Sequence, residues 1–130
     1  MTRAKEIMTT PVVAVPARMR LNELGDFFAS EGVSGAPVKS ESGDIVGIVS
    51  LSDLVQAGRL RPYKRLRDLL TSGPSVMDIM NNRVFCVPPD TPVKKVADLM
   101  IEEQIHRVLV GSIGHVVGII SSHDLLELIR

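Results

Sequence analysis

The sequence predicts an α+β protein built from two tandem copies of one small unit, each reading β-α-β-β-α. The copies are expected to relate by a pseudo-two-fold, with their sheets packed against each other. Three observations point there. A repeat runs through the 130 residues at a nearly constant offset. Within each copy the apolar spacing changes from that of a strand to that of a helix and back. And a unit of under roughly 60 residues leaves too much of its core in water to be comfortable alone, so pairing of copies is the physical expectation.

The repeat is read directly from the residues. Ala4-Lys5-Glu6-Ile7-Met8 aligns with Val76-Met77-Asp78-Ile79-Met80, and Val12-Val13-Ala14-Val15-Pro16 with Val84-Phe85-Cys86-Val87-Pro88, both at an offset of 72. Leu21, Leu24, Phe27, Phe28 and Glu31 match Val93, Val96, Leu99, Met100 and Glu103 in the same register. After a one-residue deletion, Gly47-Ile48-Val49-Ser50-Leu51-Ser52-Asp53-Leu54 pairs with Gly118-Ile119-Ile120-Ser121-Ser122-His123-Asp124-Leu125 at an offset of 71.

Element by element, Val12 to Val15 is β-rich and ends at Pro16, which predicts the first strand. Leu21, Leu24 and Phe28 recur on one helical face, and Glu31-Gly32 stops that helix. Val33 to Lys39 and Ile45 to Ser50 are strands flanking Glu41-Ser42-Gly43-Asp44, a hairpin turn by composition; the second copy turns at Ser112-Ile113-Gly114-His115. Closing helices start at Ser50 and Ser121 and carry Leu51, Leu54, Val55 and Leu125, Leu126, Leu128, Ile129. Those faces are more apolar than a solvated helix needs, which suggests a homodimer or burial against the sheet. The expected boundaries are residues 1–58, a linker at 59–75, and 76–130. Arg59, Arg61, Lys64, Arg65 and Arg67 concentrate basic charge in the linker. It reads as a solvated helix with Leu60, Leu66, Leu69 and Leu70 inward, or as a patch for an anion or partner.

Composition excludes several classes. Fifteen Lys and Arg balance fifteen Asp and Glu, so no net field draws the chain to nucleic acid or an anionic membrane. Aromatic residues are only 3% of the chain, which leaves no visible stacking platform for bases. Cys86, the one cysteine, rules out an internal disulfide and a Cys-based zinc site and fits a reducing compartment. The N-terminus lacks the apolar region of a signal peptide, and the tract from Val108 to Ile120 is too short and too interrupted to span a bilayer as a helix. A soluble cytoplasmic protein is the expectation. No nucleophile elbow, phosphate loop or metal-spaced His pair is present, so no enzyme is expected. Cys86 reads as a small mid-strand hydrophobe, and His115 and His123 as solvent-exposed.

The informative pattern is Ser-x-x-Asp, present as Ser50/Asp53 and Ser121/Asp124. It matches a capping box, in which the serine accepts from a free backbone N–H and the carboxylate reaches back. A carboxylate at a helix start can also accept the hydroxyls of a ribose diol through charge-assisted bonds of about 1.5–3 kcal/mol each. Spacing alone leaves both readings open.

Two copies of Gly-hydrophobic-x-Ser-x-x-Asp-Leu, each preceded by an Ile-Met run and a strand such as Ala36-Pro37-Val38, resemble a tandem pair of CBS domains, the Bateman module. The resemblance covers essentially the whole chain. Gly32 to Val38, Ile105 to Val110 and Val49 to Asp53 are similar to segments of the nucleotide-sensing γ subunit of AMP-activated protein kinase. The resemblance implies that Asp53 holds the ribose of an adenine nucleotide, with Ser50 beside it and Val13, Val33, Ser34 and Ile48 around the base. It implies that His106 and Arg107 of the other copy meet the phosphates; otherwise they are an exposed cation at a strand end. A second site would use Asp124 and Ser121, with Phe85, Ile105 and Ile119 around the base. There the counterpart of His106-Arg107 is Ser34-Gly35, which offers no cation, so the sites should differ.

The function expected is a stand-alone regulatory module. It binds AMP, ADP or ATP in the cleft between the repeats, as an energy sensor would, and signals occupancy to a regulated protein by conformational change. The alternatives are an interaction module whose Ser-x-x-Asp pairs are only caps, and a sensor of S-adenosylmethionine or NAD. No cofactor is required, and no metal-ligating residue is expected.

Overall fold

The computed structural model describes residues 1–59 and 73–129. In chain order its elements are α1 (Ala4–Ile7), β1 (Val15–Pro16), α2 (Leu21–Glu31), β2 (Gly35–Lys39), β3 (Ile45–Ser50), α3 (Leu51–Arg59), α4 (Val76–Ile79), β4 (Cys86–Val87), α5 (Val93–Glu103), β5 (Arg107–Ser112), β6 (His115–Ser121) and α6 (Ser122–Glu127). The fold is α+β. Arg61, Lys64, Arg65 and Arg67, with Leu60, Leu66, Leu69 and Leu70, lie outside the described residues.

Each sheet has three strands, in the orders β1-β2-β3 and β4-β5-β6. The first pair in each is parallel and joined across a helix, and the second is an antiparallel hairpin. The opening strands are shorter than the β-rich run suggests. Only Val15 and Pro16 pair, with Val38 and Lys39, and only Cys86 and Val87, with Leu109 and Val110. Leu109 N also donates to Phe85 O at 2.8 Å, whereas Pro37, its match in the repeat, has no N–H to offer Val13. Phe85 accordingly packs on a core, while Val13 stays 46% exposed.

The compact units cut across the repeat. One comprises Val13–Arg83 and the other Met1–Val12 with Val84–Arg130. In the first, Val15, Leu24, Phe28, Ala36, Val38 and Val49 form a core that also takes Val76 from the second sequence copy. In the second, Val87, Val96, Met100, Ile105, Val108, Val110 and Ile120 enclose Ala4 from the first copy. The one-turn helices α1 and α4, too short for periodicity to reveal, are the exchanged pieces. Backbone bonds seat them: Val76 N donates to Met19 O and Met77 N to Ala17 O at 2.9 Å, and Ala4 N donates to Thr91 O at 2.8 Å. Burying Val76 completely contributes about 1.5–3 kcal/mol.

The closing helices divide their apolar residues. Leu54 and Leu125 pack against the cores, whereas Leu51, Val55, Leu126, Leu128 and Ile129 stay exposed. No helix among the described residues is long and apolar enough to cross a membrane.

Candidate functional site

The site grows from the junction of β3 with α3. β3 ends in the buried run Gly47-Ile48-Val49-Ser50, and the chain turns straight into α3. Leu51 N donates to Ser34 O at 2.8 Å, which ties this turn to the start of β2. Asp53 then falls in the first helical turn. Ser50 N donates to its Oδ2 at 2.8 Å, Ser50 Oγ donates to the same oxygen at 2.9 Å, and Asp53 N returns a bond to Ser50 Oγ at 3.2 Å. The capping box is therefore real, and it uses one carboxylate oxygen. No hydrogen bond among the described residues engages Asp53 Oδ1.

A pocket of about 410 Å³ opens beside this carboxylate, lined by Asp53, Met77, Ile79, Met80, Asn81 and Asn82. All six residues belong to the Val13–Arg83 unit, yet by sequence one comes from the first copy and five from the second. The strip after α4 is laced onto β3, since Ile48 N donates to Asn81 O and Asn81 N to Ile48 O, both at 2.9 Å. Glycine is what lets it lie so close. A Cβ at Gly47 would meet Met80 Sδ at 2.5 Å and Asn81 O at 3.0 Å.

The residues expected around the base are placed differently from the pocket lining. Ile48 is buried in β3 with its backbone on Asn81, Val33 packs on the core, Ser34 is exposed at the β2 entry, and Val13 is exposed. None of these four is among the residues that line the pocket. Met77 to Asn82 escaped the residue-level reading. Their signal was in the repeat itself, because Ile79-Met80-Asn81-Asn82 matches Ile7-Met8-Thr9-Thr10 and both strips sit on a β-hairpin edge.

The other unit repeats the frame with different chemistry. Ser121 N donates to Asp124 Oδ2 at 2.8 Å and Asp124 N to Ser121 Oγ at 3.2 Å. Thr9 bridges Ile119, and Met8 occupies the space that a Cβ on Gly118 would need. Phe85 packs against the core and Ile105 is buried, so both serve packing in this unit. His106 is exposed and Arg107 half-buried at the start of β5; His106 O accepts from Ser122 N at 2.8 Å, and Arg107 pairs in register with Ser121. In place of Met77 this unit has Lys5, held to Asp90 at 2.8 Å. Lys5 donates a hydrogen bond to the Asp90 carboxyl and lends it positive charge, which keeps that group below its usual range.

His115 is exposed, and His123 is exposed with Nε2 3.7 Å from Glu127 Oε1. Cys86 is half-buried in β4, and burial pushes its thiol up. Among the described residues no group of three His, Cys, Asp or Glu is placed to hold a metal ion.

Comparison with known proteins returns one family, the CBS domain, matched at residues 4–59 and again at 76–130. An uncharacterized protein of Methanocaldococcus jannaschii, MJ1225, is 26% identical over 96% of this chain, which spans 42% of that relative. Subunit gamma-3 of human 5'-AMP-activated protein kinase is 31% identical over 78% of this chain, and the match spans 21% of the subunit. Among solved structures, the CBS domain pair of protein MJ0100 in complex with 5'-methylthioadenosine and S-adenosyl-L-methionine superposes with a TM-score of 0.79. It is 25% identical, with 99% of this chain and 96% of that one covered.

Proposed function

The chain belongs to the CBS-domain family, and from that premise we propose that it is a regulatory module that binds an adenine nucleotide at the Asp53 pocket. The observation that carries this reading is the pocket itself, where a carboxylate with one oxygen unbonded among the described residues borders an open volume. A ribose diol supplies donors to Asp53 Oδ1, and the thioethers of Met77 and Met80 offer a soft apolar wall to a flat base. The similarity to a subunit of an AMP-activated kinase and to a pair complexed with adenosyl compounds supports an adenosine-bearing ligand. AMP, ADP and ATP are the ligands proposed. Asp124, with Ser121, is the carboxylate of a second and chemically different site.

Asp53 and Met77 to Asn82 come from different sequence copies, so a ligand held by both strengthens the seating of that strip on β3. Occupancy can shift a conformational equilibrium only by the difference in affinity between its two states. That shift is the signal passed to a regulated protein, and as a sensor the chain makes and breaks no covalent bond. We assign the exposed Leu51, Val55, Leu126, Leu128 and Ile129 to self-association.

One observation favours a second reading, an interaction module without ligand: among the described residues, every hydrogen bond of the Asp53 and Asp124 carboxylates belongs to a helix cap. A thermal-shift panel with AMP, ADP, ATP, NAD and S-adenosylmethionine separates the two. The nucleotide reading predicts a rise in melting temperature with an adenylate; no shift with any of the five supports the cap-only module.

A further inference from the structure

We propose that Asn81 is a specificity-determining residue that reads a ring-nitrogen acceptor of the bound base; this rests on the nucleotide reading of the Asp53 pocket. The inference comes from how the side-chain amide is used. Arg83 N donates to Asn81 Oδ1 at 2.9 Å. A backbone N–H can bond only to an acceptor, so this contact fixes which end of the amide is oxygen and turns the nitrogen the other way. Among the described residues the Asn81 side chain thus accepts from Arg83 N, and its Nδ2 donates to none of them.

The residue is also held still. Its backbone N and O are both bonded to Ile48 at 2.9 Å, so the main chain and the amide oxygen are anchored together. A donor fixed in this way loses little freedom on binding. Asn82, by contrast, lines the same pocket with an amide that makes no hydrogen bond among the described residues.

The pocket lining therefore includes two residues of opposite polar character, Asp53 with its acceptor-only carboxylate and Asn81 with its amide donor. A diol donates to the carboxylate. The acceptor assigned to the amide donor is on the base, where adenine has no carbonyl and offers only its unprotonated ring nitrogens. At the matching place in the other unit stands Thr9, whose hydroxyl can rotate to donate or accept. Directional reading of the base is thus a property of the Asp53 pocket.

The test uses the full chain and neutral ligands, so that charge does not confound it. Calorimetric titration compares adenosine with three deaza analogues, each having one ring nitrogen replaced by C–H, against wild type, Asn81→Asp and Asp53→Ala. Asn81→Asp keeps an acceptor for Arg83 N and removes the donor. One analogue is expected to bind wild type about tenfold more weakly than adenosine, and that difference should vanish in Asn81→Asp, whose melting temperature stays near that of wild type. If all analogues match adenosine on wild type while Asp53→Ala still weakens adenosine, the role of Asn81 is overturned and the pocket reading stands. If adenosine binds Asp53→Ala as well as wild type, or binds neither, both fall.

Discussion

Asp53 and Asp124 each commit a single carboxylate oxygen to the start of their helix among the described residues, which leaves room for the ligand role proposed for them. The capping part was legible, because Ser-x-x-Asp ahead of an apolar run has a fixed mechanical meaning. The wall opposite Asp53 was not, since nothing local to Met77, Asn81 or Asn82 says which hairpin they will lie on. Cys86 offers a check at this scale. Burial raises its thiol, so the folded chain holds that proton more tightly than the unfolded one. Its contribution to stability is therefore present below the ordinary thiol range and is lost as pH rises through the raised value. Alkylation by iodoacetamide at mildly alkaline pH should run several-fold slower than for an unfolded control, by roughly the factor its reduced thiolate fraction sets; an equal rate would contradict the assignment.

Elements with a long period were readable and short ones were not. α2 and α5 declare themselves through Leu21, Leu24, Phe28 and Val96, Met100, which are buried where their spacing places them. α1 and α4 span four residues each, less than the pattern needs to repeat. α2 and α5 also end alike, each in a left-handed residue, Gly32 at φ 64° and Gln104 at φ 55°. Glycine adopts that conformation freely, whereas glutamine bears a steric cost there. Gln104→Gly should therefore stabilise the fold by about 0.5–1 kcal/mol, read as a higher denaturant midpoint with an unchanged slope; a lower midpoint would show that the glutamine side chain holds something at that turn.

At the scale of the whole molecule the repeat was plain and the exchange was hidden. The two opening strips are so alike that either fits either hairpin by pattern, and only tertiary pairing assigns Ala4 to one core and Val76 to the other. The consequence is asymmetric dependence on the first residues. Removing residues 1–12 takes Ala4, Ile7 and Met8 from the core of the unit that contains Val84–Arg130, while the other unit begins at Val13. The deletion should cost the former about 3 kcal/mol or more. Hydrogen exchange would then show protection lost in β5 and β6 and kept in β2 and β3; equal loss in both would argue against separate cores.

The most direct measurement is a pair of AMP titrations, one on the wild-type chain and one on Asp53→Ala, each accompanied by a melting curve. The account predicts saturable binding to the wild type and at least tenfold weaker binding to the variant, about 1.4 kcal/mol, with a stability loss no larger than the ~1 kcal/mol of a missing cap. AMP held equally by both proteins, or by neither, would contradict it.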